Sequence, residues 1–124
     1  MQTQKEAIIK EVRKYSDIKD YVNKILIEGY YVWSGSNFLP EIQREEMLRD
    51  TIRSLLSNTD LFNMVDSVSA SEFAHFEEML KKKMESDEEL KRQYKVLCII
   101  LSTEFFDVEE VLGRFITLVK VISQ

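Results

Sequence analysis

Val108-Glu-Glu-Val-Leu-Gly-Arg-Phe-Ile-Thr-Leu-Val-Lys-Val-Ile122 is the stretch that decides the fold. Val111, Leu112, Phe115, Ile116, Leu118, Val119, Val121 and Ile122 make it apolar nearly all round, with Gly113 and Arg114 interrupting the pattern. A helix that is apolar on most of its circumference is one that other helices surround. The stretch therefore predicts the central helix of an all-α bundle of about five to six helices. Asp107 and Glu110, three residues apart, have the spacing of a capping box and mark its start.

Working outward, the segment before it repeats the same logic. Ser86 and Glu89 have capping-box spacing and open a helix with Leu90, Tyr94, Leu97, Cys98, Leu101 and Phe105 on its apolar side. Ser69 and Glu72 predict a further helix to about Glu85, whose inward face is Phe73, Phe76, Met79 and Leu80. Leu61, Met64, Val65 and Val68 give two more helical turns. From Glu41 to Ser57 an amphipathic helix points Ile42, Leu48, Ile52, Leu55 and Leu56 inward and leaves Arg44, Glu45, Arg49 and Arg53 for water. Pro40 starts it, at a position where a helix tolerates proline. Ser34 to Asn37 reads as the loop before it, after an aromatic cluster of Tyr30, Tyr31 and Trp33 bracketed by Gly29 and Gly35. Between Ala7 and Leu26, the residues Ile8, Val12, Tyr15, Ile18, Val22, Ile25 and Leu26 recur at three- and four-residue steps, which predicts one long amphipathic helix.

Length and composition agree with a single helical domain over residues 1–124. A chain of 124 residues can bury roughly two thirds of its unfolded surface without a metal or disulfide. Three Gly and one Pro offer few breaks. The net charge of −5 disfavours nucleic acid, whose phosphates demand a basic surface. The one dense basic run, Lys81 to Lys83, points around a helix and reads as a solvated face. Cys98 is the only cysteine and lies in the apolar run Val96 to Leu101, so a buried, inert thiol in a reducing compartment is expected. No apolar stretch approaches the ~20 residues that a membrane span needs. The segment Met1 to Lys10 has no signal-peptide character. A cytoplasmic protein without a stable membrane anchor is expected.

Nothing in the sequence assembles a catalytic centre. His75 is the only histidine, so neither a triad nor a multi-histidine metal site is available without distant carboxylates, and a surface histidine is expected. The acidic pairs Glu77 and Glu78, Glu88 and Glu89, and Glu109 and Glu110 are sequence neighbours on helices. Their members diverge by about 100° and read as solvated faces. No Gly-rich phosphate loop, nucleophile elbow or cysteine pair occurs. The expectation is a non-enzyme with no cofactor and no metal.

The order of motifs resembles the B-cell lymphoma (Bcl) family of apoptosis regulators, and most of all its myeloid cell leukaemia branch. Ile18, Tyr21, Val22, Ile25 and Leu26, followed by Gly29-Tyr30 and Trp33, are similar to the family's fourth homology motif. Leu61, Val65 and Asp66 stand where its third motif has a Leu, a small residue and an Asp. Phe76, Met79 and Leu80 before a basic pair resemble its next helix. Gly113 and Arg114, opening onto the apolar run to Leu118, resemble its first motif, with Val111 and Leu112 where that motif has Asn and Trp. The second motif and the last helices of that fold have no counterpart before Gln124, so the resemblance implies either that a second copy of the chain completes the bundle as a homodimer or that this is a shortened member or fragment of the family.

The resemblance implies a hydrophobic groove that receives the amphipathic helix of a pro-apoptotic protein. By position Val68, Phe76, Met79, Leu80, Ile100, Leu101, Gly113, Arg114 and Thr117 would line it, with Arg114 pairing to an Asp of the ligand. It implies an apoptosis regulator, read as anti-apoptotic, acting in the host cytoplasm if the source is viral. Two alternatives stand beside it. One is a small acidic inhibitor or immunity-type bundle that blocks a nuclease or other enzyme through charge. The other is a structural subunit of a larger assembly.

Overall fold

A computed structural model of the chain describes residues 3–61 and 68–124. Within them the chain forms six helices and no strand: α1 Gln4–Val12, α2 Ile18–Gly35, α3 Glu41–Leu56, α4 Ala70–Ser86, α5 Glu88–Thr103 and α6 Val108–Ile122. The expected all-α bundle is present. The helical turns expected around Met64, Val65 and Asp66 lie outside the described residues.

Helix α6 has the bounds its sequence predicts and packs against α2, α3 and α5. Val111, Leu112, Phe115, Ile116, Leu118, Val119 and Ile122 are buried, whereas Glu109, Glu110 and Thr117 are exposed. The helix is thus not enclosed all round, and a polar stripe remains on its open side. Asp107 caps it by accepting a hydrogen bond from the Glu109 amide at 2.9 Å. At its other end Lys83 of α4 donates to the carbonyls of Ile122 and Gln124, where cations suit the negative end of the helix dipole.

The approach of α2 to α6 depends on Gly29. A Cβ at this position would stand 2.8 Å from Val119 Cγ2 and 3.4 Å from Leu48 Cδ1. Glycine weakens a helix interior, yet here it lets α2, α3 and α6 meet closely. Helix α2 continues through Gly29 to Gly35 and carries the aromatic cluster with it. Trp33, near its end, is buried. The Arg44 guanidinium stacks 3.8 Å over the Trp33 ring and donates to the Trp33 carbonyl from Nε at 2.9 Å. The Lys120 ammonium lies 5.4 Å from the same ring and donates to Glu45 at 2.7 Å. These contacts join α2, α3 and α6 at one end.

Four expectations need correction. The long helix from Ala7 to Leu26 is two helices, because Asp17 adopts an extended backbone and caps α2 by accepting from the Lys19 amide at 2.9 Å. Asp17 side-chain capping of a new helix outweighs continuation of the old one. Ile42 is 76% exposed, since the inward face of α3 runs back from Ile52 and Leu48 in four-residue steps to Arg44, and Ile42 lies about 200° away from that position. Phe105 is 86% exposed and Phe106 is buried instead. Helix α5 ends at Thr103, and Glu104 takes a left-handed conformation (φ 63°) that redirects the chain, its carboxylate accepting two hydrogen bonds from Arg13 at 2.8 and 2.9 Å. Finally, α4 continues through Ser86, and Asp87 rather than Ser86 caps α5, accepting from the Leu90 amide at 3.0 Å.

A buried polar chain ties α4 and α5 to α2. The Tyr94 hydroxyl donates to Asn23 Oδ1 at 2.6 Å, and Asn23 Nδ2 donates to Glu77 at 2.8 Å. On the other side the Tyr21 hydroxyl donates to the Leu56 carbonyl at 2.8 Å, closing the end of α3 onto α2. Burial pushes both tyrosine hydroxyls well above their ordinary range and holds them neutral as donors. Among the described residues no helix is long and apolar enough to cross a membrane.

The tight contact at Gly29 predicts that Gly29→Ala destabilises the fold by about 1–3 kcal/mol through overpacking, although alanine is the better helix former. Gly35→Ala, where nothing lies within 4 Å of the added Cβ, should leave stability unchanged or raise it by up to about 1 kcal/mol. Urea denaturation of the two variants compares them; a neutral Gly29→Ala would show that the helices do not need this approach.

Candidate functional site

On α6, Glu109, Glu110, Gly113, Arg114 and Thr117 recur at three- and four-residue steps and share a face about 140° wide. The buried residues of the helix occupy the remainder, so packing of the apolar side turns this stripe outward. Opposite it, Arg92 and Gln93 project from the first half of α5. The two sets enclose an open cleft of about 420 Å³.

The charges in the cleft are not equally committed. Glu89 accepts from Arg92 Nε at 2.9 Å and from Gln93 at 3.0 Å, fixing both side chains along α5. Glu109 accepts from Arg53 at 2.8 Å and so belongs to the α3 side. Among the described residues Arg114 makes only a long ion pair with Glu110, 3.8 Å from its Nε, and that buried Nε has no hydrogen-bond acceptor among them. Beside it, a Cβ on Gly113 would meet nothing within 4 Å. The cleft therefore combines a guanidinium with unused donor capacity and an adjacent stretch of backbone bare of side chain.

Of the nine residues expected to line a groove, Gly113, Arg114 and Thr117 come together here. Phe76, Leu80 and Leu101 do not: they are buried in the core, Phe76 with its ring 5.6 Å from that of Tyr30. Their periodicity placed them on inward faces, and the bundle uses those faces for its own packing. Val68, Met79 and Ile100 are half-buried against the same core. Ile100 lies two helical turns from Gln93 on the same stripe of α5, in line with the cleft.

Sequence reasoning missed Arg92, Gln93, Glu109 and Glu110 as cleft residues. The signal was available, because the polar stripe of α6 follows helical spacing as faithfully as the apolar one. Glu77, read as solvated, instead accepts from the buried Asn23. His75 is exposed. Cys98 is buried, and burial pushes its thiol up to about 11, which keeps it protonated near neutrality. No family model, no curated protein and no solved structure matches this chain.

The carboxyls bordering the cleft carry a pH signature. Hydrogen bonds from Arg92 hold Glu89 down at about 2, from an ordinary 4.5. Arg53 lowers Glu109 in the same way, and away from the cleft, beside Trp33, Lys120 lowers Glu45. A carboxyl whose folded value is depressed stabilises the fold above its unfolded value and loses that contribution as pH falls through the folded one. The melting temperature should therefore be level above pH 4.5 and decline from there to about pH 2, less steeply in high salt because these groups are exposed. A scanning calorimetry series across that range that showed no decline would remove these ion pairs from the stability of the fold.

Proposed function

We propose that this chain is a helix-binding regulator of the Bcl kind, which holds an amphipathic helix of a pro-apoptotic protein along the seam of α5 and α6. The observation that carries the reading is Arg114, whose buried Nε lacks an acceptor among the described residues and stands at the edge of an open cleft. A buried donor without a partner costs about 1–3 kcal/mol, and a carboxylate arriving on a ligand removes that cost. The guanidinium can then offer a two-pronged, charge-assisted contact that sets the register of the bound helix. Gly113 admits the ligand backbone at the same level. Ile100, further along the seam, offers an apolar contact to the next turns of the ligand.

The order of motifs supports the same assignment, with α6 as the central helix of a Bcl-like arrangement and the Leu61 to Asp66 stretch as the third homology motif. In this reading the protein is anti-apoptotic and acts by sequestration. Because Phe76, Leu80 and Leu101 are committed to the core, the ligand gains its affinity from the α5–α6 seam and not from a deep apolar trough. A charge-driven acidic inhibitor would behave differently, since its affinity would fall steeply with ionic strength.

Calorimetry with a death-ligand peptide, an amphipathic helix bearing one Asp, tests the reading. Arg114→Ala should weaken binding by at least about tenfold, as truncating one partner of a desolvated charge pair does, with helicity unchanged. Arg114→Lys should restore only part of it, because an ammonium lacks the planar fork. Gly113→Glu should block the cleft. Equal affinities for the wild type and Arg114→Ala would end the proposal.

A further inference from the structure

A second opening lies on the other flank of α5, where the first turns of α2 and the last turns of α4 meet it around a cavity of about 240 Å³. Helix α4 contributes Lys81 and Met84, and α5 contributes Lys91, Tyr94 and Lys95, in each case along a stripe of three- and four-residue steps. Lys19 of α2 closes the ring. Four lysines thus surround one cavity with a single acid, Glu85, among them.

The net charge of the chain is −5, and elsewhere Arg13, Arg53, Arg92 and Lys120 each engage a carboxylate. None of Lys19, Lys81, Lys91 and Lys95 is in an ion pair among the described residues. Lys91 and Lys95 stand one turn apart, where like charges oppose helix stability. Four lysines set against the one carboxylate of Glu85 leave a local positive excess that an anion from outside would balance.

The floor of the cavity defines that anion further. The Tyr94 hydroxyl is turned away to Asn23 at 2.6 Å, so the ring, together with Met84, presents apolar surface. Both are recessed, Tyr94 being buried and Met84 half-buried. A flat lipid surface could reach the lysines but not this floor, whereas a single side chain could enter. The volume is below the about 300 Å³ at which small-molecule sites begin, and it suits one large apolar side chain.

We propose that this corner docks an acidic peptide segment of a partner protein, with one bulky apolar residue inserted between Met84 and Tyr94 and carboxylates on either side of it paired to the lysines. Lysines on flexible stems act as separate point charges and follow carboxylates spaced along a chain. The inserted residue supplies the buried anchor on which interface affinity concentrates. The site is independent of the α5–α6 cleft and uses the opposite face of α5.

Fluorescence anisotropy of the full chain with a labelled Asp-Asp-Glu-Phe-Glu-Asp-Asp peptide tests it. Binding should weaken at least about tenfold when the peptide Phe is replaced by Ala, and again when salt rises from about 50 to about 500 mM. The double variant Lys91→Glu with Lys95→Glu should abolish binding without lowering the melting temperature. Lys10→Glu with Lys82→Glu, an equal change of net charge at two exposed positions, should leave it intact. Equal binding of the Phe and Ala peptides, or equal loss in the two double variants, would overturn the proposal in favour of diffuse attraction. Binding of phosphatidylserine vesicles through Lys91 and Lys95, with none of the peptide, would overturn it in favour of a membrane surface.

Discussion

Everything in this bundle is arranged around the approach of α2 to α6 at Gly29, where the nearest side-chain atom of Val119 leaves no room for a Cβ. The face of α6 that carries Val111, Phe115, Leu118 and Val119 is buried in the apolar core, and burial of this kind is non-directional. The glycine contact supplies the direction. Once α2, α3 and α5 cover the apolar side, the exposed residues of α6, Glu109, Glu110 and Thr117, all fall on one stripe. The cleft is thus a consequence of how the core packs, and Arg114 reaches it because its neighbours in sequence are needed inside.

The polar contacts do a different job, which is to fix how helices rotate and where they stop. Asn23 joins Tyr94 and Glu77, so α2, α4 and α5 cannot turn about their axes without leaving buried polar atoms unpaired. Arg44 and Lys120 flank Trp33 and lock the far end of α2 against α3 and α6. Capping by Asp17, Asp87 and Asp107 sets three helix starts within one residue. Together these contacts define the rotation of α5, which determines what its two flanks present.

Legibility in the sequence followed the strength of the local signal. Helix α6 could be bounded to the residue, because its apolar density and the cap at Asp107 agree. Helix α3 was nearly as clear, but its register was misjudged at Ile42, where an apolar residue outscored Arg44 for the inward position. No hydropathy pattern can show that a guanidinium will pack on an indole. The break at Asp17 was hidden for a related reason: Tyr15 and Ile18 keep helical spacing across it, and only the side-chain hydrogen bond reveals the stop. Glu11 and Asn23 are buried although their residue types predict exposure. For the site, periodicity could say which residues face inward but not whether the inside is core or groove. Phe76, Leu80 and Leu101 are inward and core, and this distinction arises only when helices are assembled.

The distribution of charge gives the last step. A chain with a net negative charge should find partners for its cations most easily, and at Arg13, Arg53, Arg92 and Lys120 it does. Cations with spare capacity stand on both flanks of α5, Arg114 on the side of α6 and four lysines on the side of α4 and α2. Both openings have space beside the charge, and each has a neighbouring apolar surface, Ile100 in line with the cleft and Met84 with Tyr94 in the cavity. An acidic, amphipathic chain is the one class of molecule that answers both. Repulsion from the rest of the surface would hold such a chain off everywhere else, so the negative net charge becomes a source of selectivity for where it lands.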